Sequence, residues 1–155
     1  MEERREDGAC ARVVYRNGAP VDALELEELC LRVGWPRRPL EKVEAALRAS
    51  FVVASLSSEV VDPEGRLVES RLVGLARATS DHAFNATIWD VLVCPSLQGQ
   101  GLGKALVEHL VRTLLRREIG NITLFADAGV VPFYGQLGFE ADPDGIKGMF
   151  WYPRF

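Results

Sequence analysis

The sequence predicts a single domain of the α/β (α+β) class. Its mixed central sheet of about six to seven strands is flanked by about four helices. Three observations predict this class. Short apolar segments bounded by turn residues fill much of the first half, a long amphipathic helix follows a glycine-rich turn at residues 98–103, and a further strand and helix come after it. Strands that first run antiparallel and are later joined through a helix imply a mixed sheet with helices on both faces.

The first half of the chain has the pattern of an antiparallel meander that also contains two short helices. Pro36 and Pro39 separate the helices, because a proline lacks the backbone N–H and restricts the residue before it. The run Asp62-Pro63-Glu64-Gly65 is a turn signal between two strands. The predicted strands are residues 12–15, 51–56, 71–78 and 86–93, and the predicted helices are residues 23–33 and 40–49.

The second half is built around one long helix. Leucine recurs at every fourth residue from Leu102 to Leu114, which predicts an amphipathic helix with one apolar face packed on the sheet. The predicted elements after it are a strand at residues 122–126, a short helix at residues 132–137 that ends at Gly138, and a last strand at residues 147–152.

Composition limits the class of protein. With 155 residues and 48% apolar residues, the chain is expected to form one domain at residues 11–155 after an acidic, disordered segment at residues 1–10. The net charge of −4 argues against a nucleic-acid partner, which requires a basic surface. No apolar run is long enough for a membrane span. The three cysteines and two histidines lack metal-ligand spacing, so we expect no metal and a reducing compartment.

The glycine-rich turn predicts an anion-binding loop. Glycines alternate with other residues over 98–103, and the missing Cβ atoms let successive backbone N–H groups face one anion at the positive end of the following helix. A P-loop needs a glycine where Gln98 stands and a hydroxyl residue where Ala105 stands, and a dinucleotide fingerprint needs a glycine at Lys104. The spacing therefore excludes both common phosphate loops.

The first turn of the long helix supports a bound anion. No acidic residue lies between Pro95 and Glu108, although surface helices favour Asp or Glu near their N-terminus. The alternative is an ordinary helix with a glycine-rich start.

Two segments resemble a known family. Gln-x-x-Gly-x-Gly at residues 98–103 resembles the pyrophosphate loop of the GCN5-related N-acetyltransferases (GNAT). Val131-Pro132-Phe133-Tyr134, with Gly138-Phe139, is similar to the corresponding segment of animal arylalkylamine N-acetyltransferases, which acetylate serotonin. The likeness to the plastid GNATs of plants extends over nearly everything from Arg12 onward and includes the motifs at residues 34–38, 98–105 and 145–153.

The resemblance implies a single GNAT-type domain that uses acetyl-CoA as co-substrate and transfers the acetyl group to a primary amine by direct attack. Among plastid GNATs it implies serotonin and related arylalkylamines of the melatonin pathway as acceptors, with protein lysines or N-termini as the alternative. A coenzyme A-binding or partner-binding module without turnover is the non-enzymatic alternative. The resemblance also implies a chloroplast location and a homodimer. Residues 1–7 do not have the composition of a signal or transit peptide, and whether a transit peptide was removed is left open.

Three side chains are candidates for the chemistry. Strand alternation places Asp90 on one side of its strand with Ile88 and Leu92, as an acid among apolar neighbours; GNATs often use an acid at this position to draw a proton from the amine through water. The alternative is a solvated or ion-paired aspartate. The resemblance makes Tyr134 the acid that protonates the departing thiolate, with packing as the alternative role. Asp127 stands where GNATs carry an asparagine, and it serves as a second base, an anchor for the amine or a helix cap.

The remaining candidates bind substrates. GNATs stabilise the acetyl oxygen with a backbone N–H at a bulge in the fourth strand, which corresponds here to Leu92 or Val93. Trp35 and Phe84 are candidates for an aromatic wall around the acceptor, or else belong to the core. The expected acetyl-CoA-binding residues are Leu92, Val93, Gln98, Gly99, Gln100, Gly101, Leu102, Gly103, Lys104, Ala105, Asp127 and Tyr134.

Overall fold

The computed structural model describes residues 2–5 and 8–152, and it divides into two compact units at residues 1–124 and 125–155. Residues 1, 6 and 7 of the predicted N-terminal segment, and residues 153–155, lie outside the described residues. The elements of the first unit are β1 (Glu2–Arg4), β2 (Cys10–Asn17), α1 (Ala23–Arg32), α2 (Leu40–Ala49), β3 (Val52–Val61), β4 (Leu67–Ser80), β5 (Asn85–Val93), α3 (Leu102–Arg116) and β6 (Asn121–Leu124). The second unit contains α4 (Val131–Gln136) and two short 3-10 helices, Ala128–Val130 and Pro143–Gly145.

The described strands form one six-stranded sheet in chain order, from β1 to β6. Every neighbouring pair is antiparallel except β5 and β6, which run parallel and are connected through α3. The predicted mixed α/β sheet with four helices is therefore confirmed.

Helices cover both faces of the sheet, as the sequence predicts. Residues 72–76 of β4 are buried without interruption, which requires cover on both sides because successive side chains alternate in direction. Both α1 and α3 pack on β4. The predicted apolar face of α3 supplies Leu106, Val107, Leu110 and Leu114 to the core, whereas Leu115 in the last turn is exposed.

Local signals explain where α1 and α2 lie. The Asp22 side chain accepts a hydrogen bond from the backbone N–H of Glu25 at 3.1 Å and caps α1. Gly34, with φ of 87°, follows the end of that helix. Pro39 occupies the N-cap position of α2. The two helices are consequently joined by the loop of residues 33–39.

A β-bulge interrupts β5 at the point where the sequence places the candidate base. Arg77 lies opposite Trp89 and Leu75 lies opposite Leu92, so the two residues between them on β5 stand against one residue of β4. Asp90 is one of the two, and its φ of 54° is left-handed. The predicted fourth strand is β5 in the structure, since β1 precedes the strands that the sequence pattern revealed.

The bulge overturns part of the predicted alternation. Ile88 pairs with Ala78 and Leu92 pairs with Leu75, and directly paired residues share a face of the sheet. Because Ala78 and Leu75 are an odd number of residues apart on β4, Ile88 and Leu92 lie on opposite faces. The prediction that they share one side was wrong, since an extra residue in the strand shifts the alternation by one.

Two further differences concern the ends of the chain. Glu2–Arg4 forms β1, paired antiparallel with β2, within a segment expected to be disordered. The predicted last strand at residues 147–152 was wrong, because these residues have no regular secondary structure. No strand lies in the described part of the second unit, so the segment has no ladder to join there. Met149 and Trp151 are 93% and 83% exposed. The homodimer that the resemblance implies stays a prediction.

No helix within residues 2–5 and 8–152 has both the length and the apolar character needed to cross a membrane.

Gly74 of β4 allows a close approach to β3, and its replacement tests that packing. A Cβ at Gly74 would lie 2.9 Å from Leu56 Cδ1 and 3.2 Å from Leu56 Cβ. We expect Gly74→Ala to lower the free energy of unfolding by about 1–3 kcal/mol in urea denaturation, because the strand must shift to admit the methyl group. Gly120→Ala is the control: nothing lies within 4 Å of its Cβ, and a change below about 0.5 kcal/mol is expected. Equal stability of the two variants would contradict the packing argument.

Candidate active site

The glycine-rich loop lies between β5 and α3 in a conformation that favours glycine. Gly99 and Gly101 have φ of 77° and 79°, and a Cβ at either would meet nothing within 4 Å. The two positions therefore require glycine for its backbone conformation rather than for space. Gly103 lies inside the first turn of α3.

The end of β5 fixes the start of this loop. The Gln98 side-chain amide donates a hydrogen bond to the carbonyl of Val93 at 3.0 Å. The backbone N–H of Cys94 donates to the carbonyl of Val73 at 2.7 Å. Cys94 is buried. The loop is thus tied to the strand that carries the bulge.

The N-terminus of α3 is suited to an anion. Gly101 is its N-cap residue and makes no side-chain cap hydrogen bond, and no acidic residue lies in the first turn. The N–H groups of this turn have no partner within the helix, and they carry the positive end of the helix dipole. Lys104 is exposed, and its Nζ lies 3.9 Å from Oε1 of Glu108. The loop and turn fit the pyrophosphate of coenzyme A, because they offer N–H donors without a competing carboxylate.

Asp90 is held by two arginines. Its Oδ1 and Oδ2 both accept hydrogen bonds from Arg38 Nη1 at 3.2 Å, and Oδ2 also accepts one from Arg77 Nε at 2.8 Å. The Asp90 side chain is 16% exposed. The sequence left open whether this aspartate is ion-paired, and the structure shows that it is.

A second carboxylate anchors Arg38. Glu27 is 4% exposed, and its Oε1 and Oε2 accept hydrogen bonds from Nε and the backbone N–H of Arg38 at 2.9 and 2.8 Å. Burial lowers the pKa of the Arg38 guanidinium, but Asp90 and Glu27 outweigh that effect, and the pKa is raised overall. Glu27, Arg38, Asp90 and Arg77 therefore form a chain of alternating charge.

Sequence reasoning missed three members of this network: Glu27, Arg38 and Arg77. Glu27 lies on the buried face of α1, together with Leu26 and Cys30. An acid on an apolar helix face is a signal for a buried ion pair, since an unpaired charge there is costly. Arg77 stands in the apolar segment of β4 and gives a similar signal. Neither pattern reveals the partner, which lies far away in sequence.

The aromatic candidates for acceptor binding are separated. Trp35 is half-buried on the same loop as Arg38, which contacts Asp90. Phe84 is 75% exposed at the turn between β4 and β5, and it lies six positions before Asp90, which corresponds to about 20 Å along an extended strand. Trp89 was missed, because the alternation placed it on the opposite side from Asp90. It pairs with Arg77, and its indole N–H donates to Thr79 Oγ1 at 2.8 Å.

Tyr134 lies on α4 in the second unit. Its ring meets Phe133 and Phe139 edge-on, with centroids 5.0 and 6.0 Å apart. Burial raises the pKa of the Tyr134 phenol above the ordinary value of 10.0. The hydroxyl is therefore protonated at neutral pH and is able to donate a proton.

Asp127 lies at the N-cap position of the 3-10 helix Ala128–Val130 in the same unit. Its side chain is exposed and makes no cap hydrogen bond, whereas its backbone carbonyl accepts from Val130 at 2.9 Å. The capping role that the sequence allowed is therefore not taken by the side chain, and the roles as base or amine anchor stay predictions.

The mixed sheet, the bulge in β5 and the glycine-rich loop before α3 are the features of an acetyltransferase of the GNAT type. The sequence profile of the Acetyltransferase (GNAT) family matches residues 21–139. The chain belongs to this family.

Solved structures and plant relatives agree with this assignment. The fold matches a probable acetyltransferase from Staphylococcus aureus, SA2161, with a TM-score of 0.71 at 23% identity over 92% of this chain and 99% of the other. The chain is 62% identical to "Histone acetyltransferase TAP1" of Glycine max and 58% identical to "GCN5-related N-acetyltransferase 2, chloroplastic" of Arabidopsis thaliana, covering 99% of this chain in both. It is 43% identical, over 90% of this chain, to "Serotonin N-acetyltransferase 2, chloroplastic" of Oryza sativa subsp. japonica. The chain spans 67%, 64% and 66% of the lengths of these three relatives.

Proposed function

We propose that this protein transfers the acetyl group of acetyl-CoA to a primary amine by direct attack. The observation that supports the donor is the loop at the start of α3, where Gly99 and Gly101 are left-handed and no acid competes for the helix N-terminus. Residues 98–105 bind the pyrophosphate in this proposal, and Leu92 or Val93 offers a backbone N–H to the acetyl oxygen. Bound acetyl-CoA supplies the activated thioester.

The amine must lose a proton before it attacks, and the thiolate must gain one. An alkylammonium with a pKa of about 10.4 is mostly charged at neutral pH, so a carboxylate or a water held by one must accept the proton. Oδ1 of Asp90 accepts one hydrogen bond from Arg38, which leaves an acceptor direction for such a water. As the N–C bond forms and the C–S bond breaks, Tyr134 gives its proton to sulfur. Asp127 is a second candidate for the amine side.

The acceptor we propose is serotonin or a related arylalkylamine in the plastid. Trp35 and Trp89 lie on the two segments that carry the Arg38–Asp90 contact, and they offer aromatic surface to an indole. The names of the rice and Arabidopsis relatives support the amine class and the chloroplast. Protein lysines or N-termini are the second candidate, which the name of the soybean relative favours.

Parallel acetylation assays test the acceptor. We expect kcat/KM for serotonin to exceed that for a lysine peptide by at least about 10-fold, because an aromatic site excludes most of the peptide. Free coenzyme A is measured in both assays. The opposite ratio would reassign the protein to protein acetylation. Binding of acetyl-CoA in calorimetry without turnover on either acceptor would indicate a coenzyme A-binding module.

A further inference from the structure

We propose that Arg38 is a positioning residue that holds Asp90 and the β5 bulge in their reactive arrangement. Its guanidinium donates through Nη1 to both oxygens of Asp90, through Nε to Glu27 and through Nη2 to Cys30 Sγ at 3.5 Å. One side chain therefore connects α1, the 33–39 loop and β5. The inference rests on the proposed function, because it assigns Arg38 a role in the amine step.

The backbone of Asp90 needs such a restraint. Its φ of 54° is left-handed, a region that residues other than glycine seldom adopt, although aspartate adopts it more readily than most. A strained backbone of this kind persists where the surroundings over-determine it. Arg38 reaches Asp90 from a loop 52 residues away, and Arg77 reaches it from the neighbouring strand. The guanidinium groups of Arg38 and Arg77 fix the direction of the Asp90 side chain. Because Asp90 is part of the bulge, they also fix the peptide units that lead to Leu92.

Glu27 makes Arg38 rigid enough for this role. The buried carboxylate binds both the backbone N–H and Nε of Arg38, so the guanidinium plane is fixed before it meets Asp90. A lysine has a single terminal nitrogen and cannot keep the Glu27 and Asp90 contacts in the same geometry. The geometry of the guanidinium, beyond its charge, is therefore required.

The loop that carries Arg38 also carries Trp35. A bond from this loop to Asp90 fixes where the loop meets the sheet. Arg38 consequently fixes the position of the Asp90 carboxylate, the proposed proton acceptor, relative to Trp35, the proposed aromatic wall of the amine site. We expect its loss to slow turnover more than it weakens binding of the donor, whose loop begins beyond β5 at residue 98.

The variant Arg38→Lys tests the proposal while keeping the charge. We expect kcat with the preferred acceptor to fall by about 10- to 100-fold, because small misplacements of reacting groups have effects of this size. The Kd of acetyl-CoA is expected to stay within about twofold. Arg37→Lys is the matched control, since Arg37 is an exposed neighbour on the same loop, and its kcat should be unchanged. A normal kcat in Arg38→Lys overturns the proposal.

A double-variant cycle separates positioning from general support of the fold. If Arg38 acts through Asp90, Arg38→Lys reduces kcat much less in an Asp90→Asn background than in the wild type. Equal fold-losses in both backgrounds would show a role independent of Asp90 and would overturn the inference, even with the proposed function intact. A wild-type chain that acetylates neither acceptor overturns the proposed function and the role of Arg38 in turnover together. Thermal unfolding of each variant confirms that folded enzyme is compared.

Discussion

Tyr134→Phe is expected to lower kcat for amine acetylation by about 10²- to 10⁴-fold, the range typical of a lost general acid. The thiolate that leaves the thioester needs a proton, and this substitution removes the phenolic hydroxyl alone. Phenylalanine keeps the edge-on contacts with Phe133 and Phe139, so α4 should remain folded. The Kd of acetyl-CoA, measured by calorimetry, is expected to change by less than about threefold.

The pH dependence gives this prediction a second readout. Burial raises the pKa of the Tyr134 phenol above 10.0, so the proton-donating form predominates at every pH below that value. The ratio of wild-type to variant kcat should therefore be constant between about pH 6 and 9, because the fraction of protonated phenol hardly changes there.

Tyr152→Phe is the control for the loss of a phenol. Tyr152 belongs to the same unit and is 77% exposed, and its replacement should leave kcat unchanged. If Tyr134→Phe also retains normal turnover, Tyr134 packs α4 and has no part in proton transfer.

The sequence predicts the parts of this fold that rest on local patterns. The leucine spacing of α3 and the prolines between α1 and α2 act within a few residues, and both helices of that pair begin at the predicted residue. The pairing of β3 with β4 and of β4 with β5 is equally local, since a short turn joins the strands of each pair. Strand ends were less accurate, because β4 extends to Leu67 through exposed residues that lack an apolar pattern.

Strand formation at the two ends of the chain could not be predicted from apolar patterns. The tail at residues 147–152 has apolar and aromatic residues typical of a strand, yet a strand forms only where a partner offers hydrogen bonds. Glu2–Arg4 is charged throughout and still pairs with β2. In both cases, whether a strand forms depends on the pairing partner, and the propensities of the residues themselves carry no information about that partner.

The candidate site shows the same division. The glycine-rich loop was predictable because its backbone conformation and its position before a helix follow from adjacent residues. The surroundings of Asp90 were not, since Arg38 lies 52 residues away and the bulge adds a residue that no alternation pattern contains. Asp90 was therefore predicted among apolar neighbours, with an ion pair as the open alternative, and the structure places two guanidinium groups on it.

Substitutions at Gly99 and Gly101 are expected to have the second largest effect, on binding of acetyl-CoA. Both residues have left-handed φ, which costs an alanine about 1–2 kcal/mol. Since about 1.4 kcal/mol corresponds to a factor of ten, we expect each alanine variant to bind about 10-fold more weakly and the double variant about 100-fold more weakly. Calorimetry with acetyl-CoA measures both losses.

A series at Gly99 separates backbone strain from side-chain size. Nothing lies within 4 Å of a Cβ at this position, so bulk alone should matter little. Asparagine is larger than alanine but adopts left-handed φ more easily, whereas a β-branched valine hardly adopts it. The expected order of affinity is therefore glycine, asparagine, alanine and valine. Gly101 is less suitable for the series, because asparagine at this N-cap position would also bind the free N–H groups of α3.

The order of affinities decides the role of the loop. Gly120→Ala, at an open position without positive φ, is the control and should bind acetyl-CoA normally. If the Gly99→Ala variant binds acetyl-CoA more tightly than the Gly99→Asn variant, side-chain volume at this position limits the affinity. Acetyl-CoA then approaches the loop backbone closely enough to meet the side chain. Equal affinity throughout the series would show that the left-handed turn at Gly99 does not contribute to binding. The N-terminus of α3 would then bind the pyrophosphate without a contribution from that turn.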